Sequence, residues 1–282
     1  MKIGITGANG QLGRLVVEKL KQRVHADSLV ALVRTPEKVT DLGIEARAFD
    51  YAQSASLADA LKDIDHLMLI SGNEIGQRKV QHENVINAAR EAGVKWIVYT
   101  SLLRADTSSL SLAAEHVATE EMLKASGIPH TILRNGWYTE NYTASIPGAL
   151  AAGAFVGSAG EGKISSASRE DYAEAAAVVL TSERQDGIVY ELAGDETYTL
   201  KDLAAELSSQ TGKDIPYKNL PEEEYAGLLK SFGLPEGIAQ AIAGWDMGIS
   251  KGDVFDDGKV LSKLIGRPTT SLTEVVKKTV AS

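Results

Sequence analysis

Six apolar runs alternate with amphipathic stretches through the first half of the chain, and this alternation limits the fold more than any other feature. The runs are KIGIT (2–6), SLVALV (28–33), IEARAF (44–49), HLMLIS (66–71), WIVYTS (96–101) and HTILR (130–134). Between them lie stretches such as QLGRLVVEKLKQR (11–23) and GQRKVQHENVINAAREAG (76–93). The second closes on Gly93, the residue type that caps helix C-termini. Strand–helix repetition predicts parallel strands joined by right-handed crossovers. Nearly continuous apolar strands are those of a sheet covered by helices on both faces.

After residue 134 the rhythm changes. Gly, Ala and Ser crowd residues 144–168, and helical patterns follow at 170–182, 199–212, 221–233 and 273–280. Two short strand candidates remain, GIVYELAG (187–194) and DIPYKN (214–219). The expected organisation is a nucleotide-binding domain over 1–134, its sheet completed by later segments, and a smaller, mostly helical substrate lobe over 135–282.

Composition narrows the class. The net charge is −9, and the basic residues are scattered along the chain. A surface that tracks nucleic acid needs clustered Lys and Arg, so no nucleic-acid partner is expected. There is no cysteine, which excludes disulfides and thiolate metal sites. The apolar runs fall far short of the roughly 20 residues of a membrane span. Lys2 leads straight into IGIT, so no signal peptide is expected and the chain reads as cytoplasmic. Its oligomeric state is not legible.

Directly behind the first run stands GITGANGQLG (4–13), with Gly7, Gly10 and Gly13 three residues apart. A strand, a glycine-rich turn and a helix start together make a pyrophosphate cradle. Glycines allow the tight turn and the close approach of phosphate. The N–H groups of the helix start face the anion, favoured by the helix dipole. The fold class expected is therefore a Rossmann-type doubly wound α/β sheet. In such folds an acid about 20 residues beyond the glycines takes the ribose hydroxyls of NAD. Here Arg34 stands at that point. An arginine forms charge-assisted, often bidentate, bonds to a 2′-phosphate, so the expected cofactor is NADPH. Lys38 lies one helical turn further on and adds positive charge.

GITGANGQLG, ALVRTPEK, YTSLL, LRNGWYTENY and GKISSASREDYAEAAA, read in order, resemble the NmrA-like atypical short-chain dehydrogenase/reductases. Within that family the likeness is greatest to its bacterial NAD(P)H:quinone oxidoreductase branch, and it continues through YELAGDETYTLKDLAAEL and LSKLIGRPTTSL. The resemblance implies a Rossmann-type domain with a small C-terminal lobe, and NADPH-dependent reduction of a quinone without flavin. It puts Gly7, Ala8, Asn9, Gly10, Gln11 and Leu12 along the pyrophosphate and Arg34 on the 2′-phosphate. It puts Ser71, Gly72 and Asn73 near the adenosine ribose and inner pyrophosphate, and Asp50 near adenine. Asn135, Gly136, Trp137, Tyr138, Thr139 and Glu140 fall near the nicotinamide, with Arg169 as a further contact. Trp137 and Tyr138 also offer flat faces for a quinone, or else pack structurally.

Most short-chain dehydrogenases carry Tyr-x-x-x-Lys on the helix after the fifth strand, and the tyrosine moves the substrate's proton. None of this chain's 9 tyrosines has lysine four residues on. His116 stands near the tyrosine place and Glu120 near the lysine place. A quinone tolerates this, because hydride addition gives a hydroquinone anion that solvent protonates. No catalytic residue is assigned. His116 is the one candidate proton donor, on the expectation that it titrates near neutrality. The histidines show no ligand-like spacing, and no metal site is expected. The alternative reading is an NADP(H)-binding redox sensor of the NmrA type, without turnover.

Overall fold

The computed structural model describes residues 1–281. The strands are β1 (Ile3–Thr6), β2 (Leu29–Val33), β3 (Glu45–Ala48), β4 (His66–Leu69), β5 (Trp96–Leu102), β6 (His130–Asn135), β7 (Phe155–Gly157), β8 (Ile188–Leu192) and β9 (Tyr217–Asn219). The α-helices of the first half are α1 (Gln11–Lys21), α2 (Ser54–Ala60), α3 (Arg78–Ala92) and α4 (Ala113–Ser126). After β6 come α5 (Glu140–Thr143), α6 (Ile146–Ala152), α7 (Arg169–Thr181) and α8 (Leu200–Thr211). The chain finishes with α9 (Glu222–Ser231), α10 (Glu236–Ser250), α11 (Val260–Ile265) and α12 (Leu272–Ala281). None of these helices is long and apolar enough to cross a membrane.

Two compact units form. The first is built from Met1–Asp106, Ala114–Asn135 and Arg169–Glu191. The second takes Thr107–Ala113, Gly136–Ser168 and the chain from Leu192 on.

The principal sheet has the order β3-β2-β1-β4-β5-β6-β8, the doubly wound arrangement expected from the alternation. Neighbours from β3 through to β6 pair in parallel, as in Ile3↔Leu29 and Ile3↔His66. Gly187 N–H donates to the His130 carbonyl at 2.8 Å and Gly136 N–H to the Leu192 carbonyl at 2.7 Å, so β8 runs the same way. Alternate strand residues divide between the faces. Val30, Leu32, Leu67, Leu69, Ile97 and Tyr99 form one core with Leu57, Val85, Ile86 and Leu123 of α2, α3 and α4 and with Leu61, which follows α2. On α1 the buried stripe is Leu12, Val16, Val17 and Leu20, and this helix packs against α7. Lys19 joins the two helices through Glu170 at 2.9 Å and Glu174 at 3.4 Å.

The two edge strands, β3 and β8, depart from the continuous apolar pattern. β3 is an edge strand, part exposed along its length. Its Glu45 pairs with Arg47 at 2.7 Å and Lys2 at 3.0 Å, and such charges deter edge-to-edge pairing. In the second unit, β7 pairs in parallel with β9, register Phe155↔Tyr217. β7 lies in the Gly/Ala/Ser-rich stretch, which gave no strand signal. α10 was also unforeseen, because Gly237, Gly244 and Gly248 interrupt its helical pattern.

Candidate functional site

The C-terminal ends of β1, β2 and β4 lie side by side, so the segments that follow them share one edge of the sheet. Gly7 opens the first of these segments with φ +60, a conformation costly for any residue with a Cβ. Its N–H donates to the Leu32 carbonyl at 3.0 Å, and its own carbonyl accepts from Gly10 N–H at 2.9 Å. Gly13 packs directly on this turn. A Cβ there would stand 2.2 Å from the Gly7 carbonyl oxygen. α1 starts at Gln11 with Gly10 as a cap that supplies no side-chain bond, and its first turn holds no acid. The first N–H groups of α1 thus keep their capacity for an anion. Ala8 and Leu12 are buried beneath the turn, while Asn9, Gly10 and Gln11 are exposed.

Arg34 follows β2 immediately, and its side chain is exposed. Its guanidinium is not alone: Nη1 lies 3.1 Å from Glu74 Oε1. Glu74 belongs to the segment after β4, with Ser71, Gly72 and Asn73. Ser71 N–H donates to Thr100 Oγ1 at 2.8 Å. Gly72 is held twice, by its N–H to His82 Nε2 at 3.0 Å and by Arg78 Nε to its carbonyl at 2.5 Å. Because Nε2 accepts, the neutral His82 ring carries its proton on Nδ1 and gives it to Thr119 Oγ1, 2.9 Å away. Asn73 is exposed. Lys38 is exposed too, and its carbonyl takes a bond from Arg14 at 3.0 Å. Asp50 caps the turn after β3 through a 3.0 Å bond from Ala52 N–H.

Tyr51 was not singled out in the sequence. Its hydroxyl lies 2.5 Å from Thr6 Oγ1 and 2.8 Å from the Ile70 carbonyl, tying the ends of β1 and β4 together. Phe49, Tyr51, His82, Tyr99 and His116 form a file of rings with centroids 5.6–6.0 Å apart behind this edge. No periodic signal announces such a file, because its members come from the segment after β3, one strand and two helices.

His116 is buried on α4, with Nδ1 2.8 Å from the Tyr99 hydroxyl. The near-neutral titration expected of it does not survive this environment. Burial above all, then the nearby Arg78 charge and His82, lower its pKa to about 3. Burial and Arg78 do the same to His82, also to about 3. Glu120, near the lysine place, takes Ser101 Oγ at 2.6 Å and Arg134 Nη2 at 2.7 Å. Neither residue recreates a tyrosine–lysine relay.

Asn135 ends β6, and its Oδ1 is buried without a hydrogen-bond partner. An orphaned buried acceptor costs about 1–3 kcal/mol, so the position favours a donor from outside. In the second unit, Gly136 to Glu140 run beside residues 166–167. Thr139 N–H donates to the Ala167 carbonyl at 3.0 Å, and Ala167 N–H to the Trp137 carbonyl at 3.1 Å. Thr139 Oγ1 meets Ser166 Oγ at 2.8 Å, and Ser166 meets the Tyr198 hydroxyl at 2.5 Å. Trp137 is buried edge-on against Trp245, centroids 5.7 Å apart, whereas Tyr138 is half-buried. Glu140 lines a cleft of about 690 Å³ with Arg267, Thr269, Glu274 and Lys278. Arg169 opens α7 in the first unit. Lys163 stacks over the Phe255 ring at 5.8 Å. No cluster of potential metal ligands occurs among the described residues.

The NAD(P)H-binding family profile matches residues 7–183. Quinone oxidoreductase 2 of Escherichia coli (strain K12) is 57% identical over 277 residues, covering 97% of each chain. The crystal structure of the Escherichia coli NADPH-dependent quinone oxidoreductase complexed with NADPH matches with TM-score 0.96, covering 98% of this chain and 99% of that one. Triphenylmethane reductase of Citrobacter sp., complexed with NADP(H), is 38% identical with TM-score 0.95, covering 99% and 100%. An NmrA-like oxidoreductase of Aspergillus flavus is 30% identical over 80% of this chain and 76% of its own. On this evidence the chain belongs to the NAD(P)H-binding, NmrA-like family.

Proposed function

We propose that this protein is an NADPH-dependent quinone oxidoreductase that passes hydride directly to a quinone without flavin. The observation that carries the acceptor class is the state of the relay positions. His116 is a buried, neutral imidazole, and Glu120 is bonded to Ser101 and Arg134. A carbonyl reduction that demands a strong proton donor finds none there. A quinone asks for less: hydride brings both electrons, and solvent supplies the remaining proton to the hydroquinone anion. The names of the 57%-identical relatives support the same assignment. The likeness to the regulator NmrA is at 12% identity and supports only the fold, so no observation favours the sensor reading. A cytoplasmic location belongs to the same proposal, supported by the cysteine-free composition.

The residues fit the cofactor. Gly7 to Leu12 present the turn and the open helix start to a pyrophosphate. Arg34 is the cation for a 2′-phosphate, with Ser71, Gly72 and Asn73 on the same sheet edge. The buried, partnerless Asn135 Oδ1 suits a carboxamide N–H. Gly136 to Glu140, with Arg169, complete the proposed set. Bound NADPH supplies the hydride; the chain's residues supply position and keep water away. Tyr138 is the half-buried aromatic face offered to a quinone, beside Trp137, which packs edge-on against Trp245.

Two measurements test this reading. Arg34→Ala is expected to cost about 1.5–3 kcal/mol of NADPH binding, the worth of a hydrogen bond to a charged group. NADH binding should barely move in the same fluorescence titration. Equal losses would show that Arg34 supports the loop without selecting the phosphate. His116→Ala should keep kcat for quinone reduction within about threefold, whereas loss of a general acid costs roughly 10²–10⁴-fold. A drop near 100-fold with unchanged NADPH affinity would make His116 the acid.

A further inference from the structure

We infer that Glu74 sets how strongly this protein prefers a 2′-phosphorylated dinucleotide, by occupying the guanidinium of Arg34. This rests on the proposed role of Arg34 in holding the 2′-phosphate. Glu74 Oε1 lies 3.1 Å from Arg34 Nη1. Its other oxygen, Oε2, accepts from Gln81 Nε2 at 2.8 Å, and Gln81 is buried on α3.

An exposed ion pair alone carries little weight, because long side chains swing apart in water. Glu74 is held more firmly than that. Gln81 fixes one oxygen, and the surrounding segment is clamped at both ends. His82 and Arg78 hold Gly72, and Glu115 Oε1 accepts from Gly76 N–H at 2.9 Å. The carboxylate is thus delivered to Arg34 by a built segment.

The two dinucleotides meet this carboxylate differently. A 2′-phosphate arriving at Arg34 must displace Glu74 or share the guanidinium with it, beside a like charge. A ribose 2′-hydroxyl has no charge to repel, and it has a proton to donate to a carboxylate. Glu74 therefore lowers affinity for the phosphorylated cofactor and spares, or supports, the unphosphorylated one. It does at the end of β4 part of what an acid at the end of β2 does in NAD-binding folds.

The test is calorimetric binding of NADP⁺ and NAD⁺ to four proteins: unmutated, Glu74→Gln, Arg34→Ala and the double variant. Glu74→Gln keeps a hydrogen-bonding group for Gln81 and removes the charge. NADP⁺ should then bind about 2–5-fold tighter, the scale of one exposed charge pair, with NAD⁺ no tighter than before. The gain should shrink when 0.5 M salt screens the site, and it should be smaller in the Arg34→Ala background. Unchanged NADP⁺ affinity in Glu74→Gln, while Arg34→Ala still weakens NADP⁺ selectively, overturns the role of Glu74 alone. No selective weakening in Arg34→Ala overturns the underlying placement of the phosphate. An equal gain with and without Arg34 reduces Glu74 to a through-space charge and overturns the pairing.

Discussion

Replacing Arg134 with methionine is expected to lower the unfolding free energy by about 3–5 kcal/mol, the cost of stripping a buried charge of its partner. Arg134 lies at the end of β6 and reaches Glu120 through Nε at 2.9 Å and Nη2 at 2.7 Å. Its Nη1 adds Glu191 at 2.8 Å and Asp106 at 3.0 Å. Bonding to Glu120 is the main reason the guanidinium is held well above its ordinary pKa. Only 2% of Glu120 is exposed, so losing Arg134 leaves a carboxylate that water cannot reach. Urea denaturation measures the loss. Replacing Glu120 with methionine as well should recover part of it, because apolar pairs often replace buried ion pairs at little cost. A loss below about 1 kcal/mol in Arg134→Met would mean that the pair contributes no more than a surface bridge.

The second large effect is expected at Gly13. In Gly13→Ala the new Cβ would sit 2.2 Å from the Gly7 oxygen and 2.8 Å from the Ala8 Cα. Both obstacles are backbone, so no side-chain rotation relieves them, and the turn must move off α1. NADPH affinity should fall on the order of 100-fold, the scale of loss for a misplacement near 1 Å. Circular dichroism should still report a folded sheet. Gly10→Ala is the internal control: its Cβ meets only the Gly7 oxygen, at 3.2 Å, and a shift of a few tenths of an ångström relieves it. A Gly13→Ala protein with unaltered NADPH affinity would remove the N-terminal turn from the binding site.

What the sequence announced was local and periodic. β1, β2 and β4 to β6 are apolar runs, and the turn at Gly7, Gly10 and Gly13 is a spacing. The end of β2 put Arg34 on the edge shared with Ser71 to Asn73, because parallel order fixes which loops are neighbours. What escaped notice depends on contacts distant in sequence. Glu74 lies in an irregular loop, and its partner Arg34 is 40 positions away. The pKa of His116 follows from burial beside Arg78 and His82. The apolar face of α4 is too weakly patterned to announce that burial. Likewise, α10 contains glycines that local propensity assigns to turns, and β7 is only three residues long within a Gly/Ala/Ser-rich stretch. Their packing partners override that propensity.

The packing of α1 on α7 has a consequence for synthesis. Lys19 and its partner Glu170 are 151 residues apart. At roughly 5–20 residues per second, the ribosome delivers Glu170 about 8–30 s after Lys19. Until then, the apolar stripe of α1 lacks α7, and β6 lacks its neighbour β8. The first unit therefore cannot finish folding as its first 135 residues emerge. It must wait, partly covered, until Gly136–Ser168 has been made and Arg169–Glu191 has followed. During that interval the nascent chain exposes an apolar helix face that the finished protein covers with α7.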